Sequence, residues 1–102
     1  MGARELKQRI DAGDAPVLID VRSPEEWEIC HLDPARLIPL GELPSRMHEL
    51  DSSDEIVFLC KSGQRSAHAA GLVQRAGFGK VLNLRGGLLA WGREVDPDLP
   101  IY

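Results

Sequence analysis

The 102-residue chain reads as an α/β domain built on a mostly parallel sheet covered on both faces. Three observations predict this. Short apolar runs without polar alternation mark strands buried on both sides. Stretches with helical spacing of apolar residues separate those runs. Gly, Pro and capping residues stand at the junctions, and strands alternating with helices imply parallel pairing through crossovers.

In chain order, 3–12 carries Leu6 and Ile10 four apart among charges and stops at Gly13, as a short amphipathic helix does. Val17-Leu18-Ile19 is entered after Pro16 and left at Asp20, the pattern of a buried strand. Ser23-Pro24-Glu25-Glu26 supplies an N-cap, a proline at the first helical position and acids in the first turn, so a helix starts there. Leu37-Ile38 is extended ahead of Pro39, whose ring disfavours helix in the residue before it. Residues 42–50 predict one short helix with Leu43, Met47 and Leu50 on a common side. Ile56 to Leu59 is the strongest strand, and a helix over 65–76 follows, closed by Gly77. Its Ala67, Ala69, Ala70 and Gly71 are small enough for a close approach to the sheet. Val81-Leu82 is a further strand, Gly86-Gly87 a turn, 88–95 a last helix and 97–102 a proline-bearing tail. There is no repeat, low-complexity tract or linker, so one domain over 1–102 is expected.

With 43% hydrophobic residues the chain can bury one modest core, and two domains would not fit. A net charge of −4 argues against a nucleic-acid binder. Only Cys30 and Cys60 occur, far below the density of a disulfide-stapled secreted domain, so a reduced, cytoplasmic setting is expected. No signal-peptide core is present, and no run approaches the roughly 18 to 20 apolar residues of a membrane span. Nothing demands more than a monomer.

Cys60 is where chemistry is expected. It ends the strand Ile56-Val57-Phe58-Leu59 and opens the polar loop Lys61-Ser62-Gly63-Gln64-Arg65 before a helix start. The first N–H groups of a helix lack partners within it, and with the positive end of the dipole they favour an anion, whether thiolate or bound oxyanion. The thiolate is the attacking form in sulfur chemistry. Set against this is a plainer reading, a buried cysteine acting as a small hydrophobe. Gly63 and the cations Lys61 and Arg65 favour function, and a basic loop in an acidic protein suits a small anionic substrate.

Asp20-Val21-Arg22 with Glu26-Trp27, then Cys60-Lys61-Ser62-Gly63-Gln64-Arg65-Ser66, then Leu84-Arg85-Gly86-Gly87 with Trp91 follow in an order that resembles the rhodanese family of sulfurtransferases. The resemblance covers nearly the whole chain. It implies a three-layer α/β/α fold with the active cysteine in a loop that cradles its sulfur. The ending from Glu94 to Tyr102 and the wording Cys60-Lys61-Ser62-Gly63 are similar to the rhodanese domain fused behind E1-like adenylyltransferases, which form thiocarboxylates on ubiquitin-like sulfur carriers. No adenylyltransferase domain is present here, so this is a stand-alone relative or an excised domain. One connection departs from the family: Cys30-His31-Leu32-Asp33-Pro34-Ala35 stands where Gly-His-Ile and a Gly-Ala pair are usual.

The resemblance implies that Cys60 takes the outer sulfur of a donor such as thiosulfate as a persulfide and passes it to cyanide, a thiol or a carrier protein. Backbone N–H groups of residues 61–66 are expected to hold the anionic sulfur, with Gly63 permitting the tight path. Lys61 and Arg65 are expected to bracket the mouth and attract the donor's oxygens. No cofactor or metal is implied. A cysteine phosphatase is the rival enzyme, but its loop places five residues between cysteine and arginine; four lie between Cys60 and Arg65. A docking or sulfur-relay module with poor turnover is the rival outside catalysis.

The other candidates have plainer readings. Asp20 and Arg22 are expected to pair and support the cradle without reacting. Cys30 is expected to be buried filler, with a resolving thiol as its alternative. His31 reads as structural, and His48 and His68 as surface or satisfied residues. Cys30, His31, Cys60 and His68 lack the paired spacing of zinc motifs. Trp27 and Trp91 read as core or edge anchors, Gly86-Gly87 as a tight turn, and Asp51, Asp54 and Glu55 as a solvated turn.

Overall fold

The computed structural model describes residues 1–101; the end of the expected tail, Tyr102, lies outside the described residues. Four strands form one parallel sheet in the order β2-β1-β3-β4, from β1 (Val17–Asp20), β2 (Arg36–Leu37), β3 (Ile56–Leu59) and β4 (Val81–Asn83). The α/β class and parallel sheet stand as expected, every pairing being parallel. Strand β1 runs beside β3 with Val17 opposite Ile56 and Asp20 opposite Leu59, so both strands end level.

Alternation within the strands divides the apolar residues between two faces. Ile19, Ile56 and Phe58 join Leu43, Ala69 and Val73 on one; Leu18, Val57 and Leu59 join Ala3, Leu6, Leu88 and Trp91 on the other. The first face is covered by α3 (Leu43–Arg46) and α4 (Gln64–Arg75), the second by α1 (Ala3–Asp11) and α5 (Gly87–Glu94). All four residues of β3 are buried, which is why it is a continuous apolar run. Helix α2 (Pro24–Ile29) buries none of its residues; its capping box carries it, the Ser23 hydroxyl accepting from the Glu26 N–H while Glu26 reaches back to the Ser23 N–H.

Three local expectations need correction. The single helix over 42–50 is a 3₁₀ turn (Leu40–Glu42), one turn of α3, and a second 3₁₀ turn (Met47–Glu49). Its apolar side still meets the core, but the Ser45 hydroxyl donates to the Glu42 carbonyl at 2.9 Å, a local bond that competes with the helical ladder. The extended piece at 37–38 pairs one residue earlier, as Arg36–Leu37. In α4, Ala69 and Ala70 are buried but Ala67 faces outward, so the close approach rests on fewer small residues than expected. Among the described residues no helix is long and apolar enough to cross a membrane.

Candidate active site

The carboxyl ends of β1, β3 and β4 bring Asp20, Cys60 and Asn83 to one edge of the sheet. The chain leaves β1 towards β2 on one side and later enters β4 on the other, so the Cys60 loop lies at the point where strand order reverses, the usual ligand crevice of open parallel sheets.

The loop is shaped by two glycines and by α5. Gly63 precedes α4 with φ of +102°, a region that favours glycine, and as the N-cap residue it has no side chain of its own to cap the helix. The sulfur does that work. Cys60 Sγ accepts from the N–H of Gly63 at 3.1 Å and of Ser66 at 3.4 Å, Ser66 being the third residue of α4, where a capping side chain would be satisfied. On the other side of the loop, the Leu88 and Leu89 N–H groups donate to the Cys60 and Lys61 carbonyls at 2.9 and 3.0 Å. The start of α5 therefore draws the loop carbonyls one way and leaves its N–H groups to face the sulfur. Gly87 makes this possible: at φ of +58°, a Cβ there would overlap the Cys60 and Lys61 carbonyl oxygens.

Cys60 is only 1% exposed, so the expectation of a buried cysteine holds together with that of a cradled one. The sulfur lies beneath the loop with the amides aimed at it. Burial pushes its thiol up; the Ser66 hydroxyl and N–H, with the N–H groups of Gly63 and Ser62, more than offset this and hold it below its ordinary value. Ser66 is fully buried, with its hydroxyl 3.3 Å from Sγ.

The remaining loop residues divide. Ser62 and Gln64 are exposed, and Lys61 and Arg65 are half-buried. Arg65 is not presented as a cation standing alone at the mouth: it grips Glu26 of α2 with both terminal nitrogens, at 2.6 and 3.0 Å, while its charge still acts on Cys60. That pair, with the Ser23 N–H, holds the Glu26 carboxyl at about 2. Asp20 and Arg22 are both fully buried and form an ion pair with three contacts of 2.8 to 3.0 Å. Arg22 also donates to the Cys30 carbonyl at 2.6 Å, tying the connection that departs from the family pattern to the end of β1.

Cys30 belongs to the core on the opposite face from Cys60, and both thiols are free. Trp27 stacks on His31 with ring centroids 3.8 Å apart, and Trp91 is buried in the core, so each tryptophan anchors an edge or a core. Sequence reasoning missed Asn83. Its carboxamide accepts from the Ser66 hydroxyl at 2.5 Å and donates to the Gly63 carbonyl at 3.1 Å. The available signal was a polar residue closing the apolar run Val81-Leu82 at the carboxyl edge.

The rhodanese-like domain family matches residues 2–94. This chain belongs to that family. It is 42% identical over 101 residues to the protein named "Probable adenylyltransferase/sulfurtransferase MoeZ" of Mycobacterium tuberculosis, covering 97% of this chain but only 26% of that relative. It is 36% identical over 99 residues to a sulfurtransferase of Allochromatium vinosum, covering 97% of this chain and 90% of that one. The crystal structure of a rhodanese-like domain protein from Staphylococcus aureus superposes with a TM-score of 0.87 at 27% identity, over 100% of this chain and 96% of that one. The first two of these relatives are both named as sulfurtransferases.

Proposed function

We propose that Cys60 carries a sulfane sulfur as a persulfide, taking it from a small anionic donor such as thiosulfate and yielding it to a thiophilic acceptor. The observation that carries this reading is the pair of N–H groups, from Gly63 and Ser66, aimed at a buried Sγ. In the first step the Cys60 thiolate attacks the outer sulfur of thiosulfate. The S–S bond of the donor breaks and sulfite leaves with its electron pair. The product is a cysteine persulfide whose outer sulfur bears the negative charge, and the loop amides stabilise it. In the second step a nucleophile attacks that outer sulfur, and the thiolate is restored. Splitting one transfer into two displacements is covalent catalysis.

Cyanide serves as acceptor in an assay. A thiol or the tail of a ubiquitin-like sulfur carrier is the cellular counterpart we infer, because a 42% identical relative joins adenylyltransferase and sulfurtransferase in its name. The supporting roles we assign are these. Ser66 and Gly63 bear on the sulfur directly, Ser62 adds an N–H, and Arg65 contributes charge while bound to Glu26. Asp20 and Arg22 support the cradle without reacting. From their places in the loop, Lys61 half-buried and Gln64 exposed, we assign both to the donor's approach, so Lys61→Ala is expected to raise the KM for thiosulfate in steady-state assays and leave kcat nearly unchanged.

The test is thiocyanate formation from thiosulfate and cyanide by wild type and by Cys60→Ser, with intact-mass analysis after thiosulfate alone. The expected result is turnover and the gain of one sulfur atom on Cys60, both absent from the variant. Faster release of phosphate from an aryl phosphate, or no added sulfur, would overturn the proposal.

A further inference from the structure

Ser66 has one hydroxyl proton and two acceptors within reach. Asn83 Oδ1 lies at 2.5 Å and Cys60 Sγ at 3.3 Å. The orientation of the Asn83 carboxamide is dictated from its far end: the Gly63 carbonyl can only accept, so the amide nitrogen must face it, at 3.1 Å, and the amide oxygen must face Ser66. With the sulfur protonated, a continuous chain satisfies every group: thiol to Ser66 oxygen, Ser66 hydroxyl to Asn83. With the sulfur anionic, the same hydroxyl has to turn away from Asn83 to donate to it. Asn83 is half-buried, so solvent can take over its released oxygen.

We propose that Asn83 is a positioning residue of the sulfur site, which competes with Cys60 for the single hydroxyl proton of Ser66 while pinning the Gly63 carbonyl. The site can thereby satisfy both the resting thiol and its anionic forms without an orphaned buried group. The inference rests on the reading of Cys60 as the reactive sulfur, and it adds a residue from β4 that no loop motif contains.

The experiment is a double-mutant cycle on the full chain: wild type, Asn83→Leu, Ser66→Ala and the double variant. The pH midpoint of iodoacetamide alkylation is read at Cys60 by peptide mass spectrometry, which separates it from Cys30. Charged groups on the surrounding elements remain in every variant: Arg65 with Glu26, the Asp20–Arg22 pair, Lys61, Arg85 after β4 and Arg93 on α5. Removing the competing acceptor commits the hydroxyl to sulfur. The bond to Asn83, which the hydroxyl no longer has to give up when the sulfur ionises, corresponds to about one pH unit. Asn83→Leu is therefore expected to shift the midpoint about one unit further down when Ser66 is present than when it is absent.

Equal shifts in both backgrounds would show that Asn83 acts only through loop packing and would overturn the proposal. Asn83→Ala and Asn83→Asp are read alongside in case Asn83→Leu fails to fold. The alanine variant must show the same Ser66-dependent fall. The carboxylate keeps an acceptor for the hydroxyl, so a fall in its midpoint would also overturn the idea. Alkylation needs no sulfur donor, so a missing persulfide would sink the proposed function while leaving this result readable.

Discussion

At the residue scale the site turns on one atom that is buried and yet titrates below its ordinary value. Desolvation alone would make Cys60 inert, and the donors from Gly63, Ser62 and Ser66 reverse its sign. Ser66 supplies both a hydroxyl and an N–H, and only the first is lost on truncation. Ser66→Ala is expected to raise the Cys60 alkylation midpoint by about one unit. Below the midpoint the thiolate fraction then falls about tenfold, while its higher basicity restores about threefold in nucleophilicity, so the rate drops roughly threefold. An unchanged pH-rate profile would show that the amides suffice without the hydroxyl.

At the scale of elements, the cradle is a loop stretched between two helix starts. Helix α4 offers N–H groups to the sulfur, and α5 takes the loop carbonyls, with Gly87 as the contact that lets the backbones meet. Gly87→Ala adds a left-handed backbone cost of about 1–2 kcal/mol to a collision with two carbonyls. A loss of about 2–4 kcal/mol in urea unfolding is expected, together with loss of sulfur transfer. A variant with wild-type stability would mean that the loop yields easily. The Asp20–Arg22 pair holds the end of β1 by a different logic. Among the described residues every buried side-chain N or O has a partner, and removing the guanidinium leaves a fully buried carboxylate with its counter-charge gone and only the N–H of residue 22, at 3.0 Å, still donating to it. Arg22→Ala is expected to cost about 3–5 kcal/mol, and Arg22→Ala with Asp20→Ala together less than the sum of the single losses. Additive losses would show that the two residues act separately.

At the scale of the whole molecule, Glu26 joins α2, which buries nothing, to the first turn of α4. Its carboxyl, held at about 2, lies below the unfolded value, so its stabilisation is complete above about pH 4.3 and fades as pH falls towards 2. Arg65 is 40% exposed, and solvent screening limits the pair to about 1 kcal/mol. Glu26→Gln keeps an acceptor for the capping box. Compared by urea denaturation, it is expected to be less stable than wild type at pH 7 and equal to it near pH 2. A difference that persisted in acid would assign the effect to packing.

Much of this molecule was readable in its residues because the relevant signals are local. Apolar runs, Pro24 behind Ser23, and Gly63 after Cys60 report backbone preferences that act within a few positions, so the α/β class, the strand ending at Cys60 and the helix after it follow from the chain alone. Local signals misled where they were weak, as in residues 40–50, where Ser45 competes with the helix and packing chose a broken one. The folded state decided everything that depends on elements far apart in sequence. It bound Arg65 to Glu26, 39 positions away, and brought Asn83 to Ser66, 17 away, through the parallel register of β3 and β4. It also placed Cys30 and Cys60 on opposite faces. Side-chain direction across a sheet is a property of register and packing, and a linear chain carries no local mark of either.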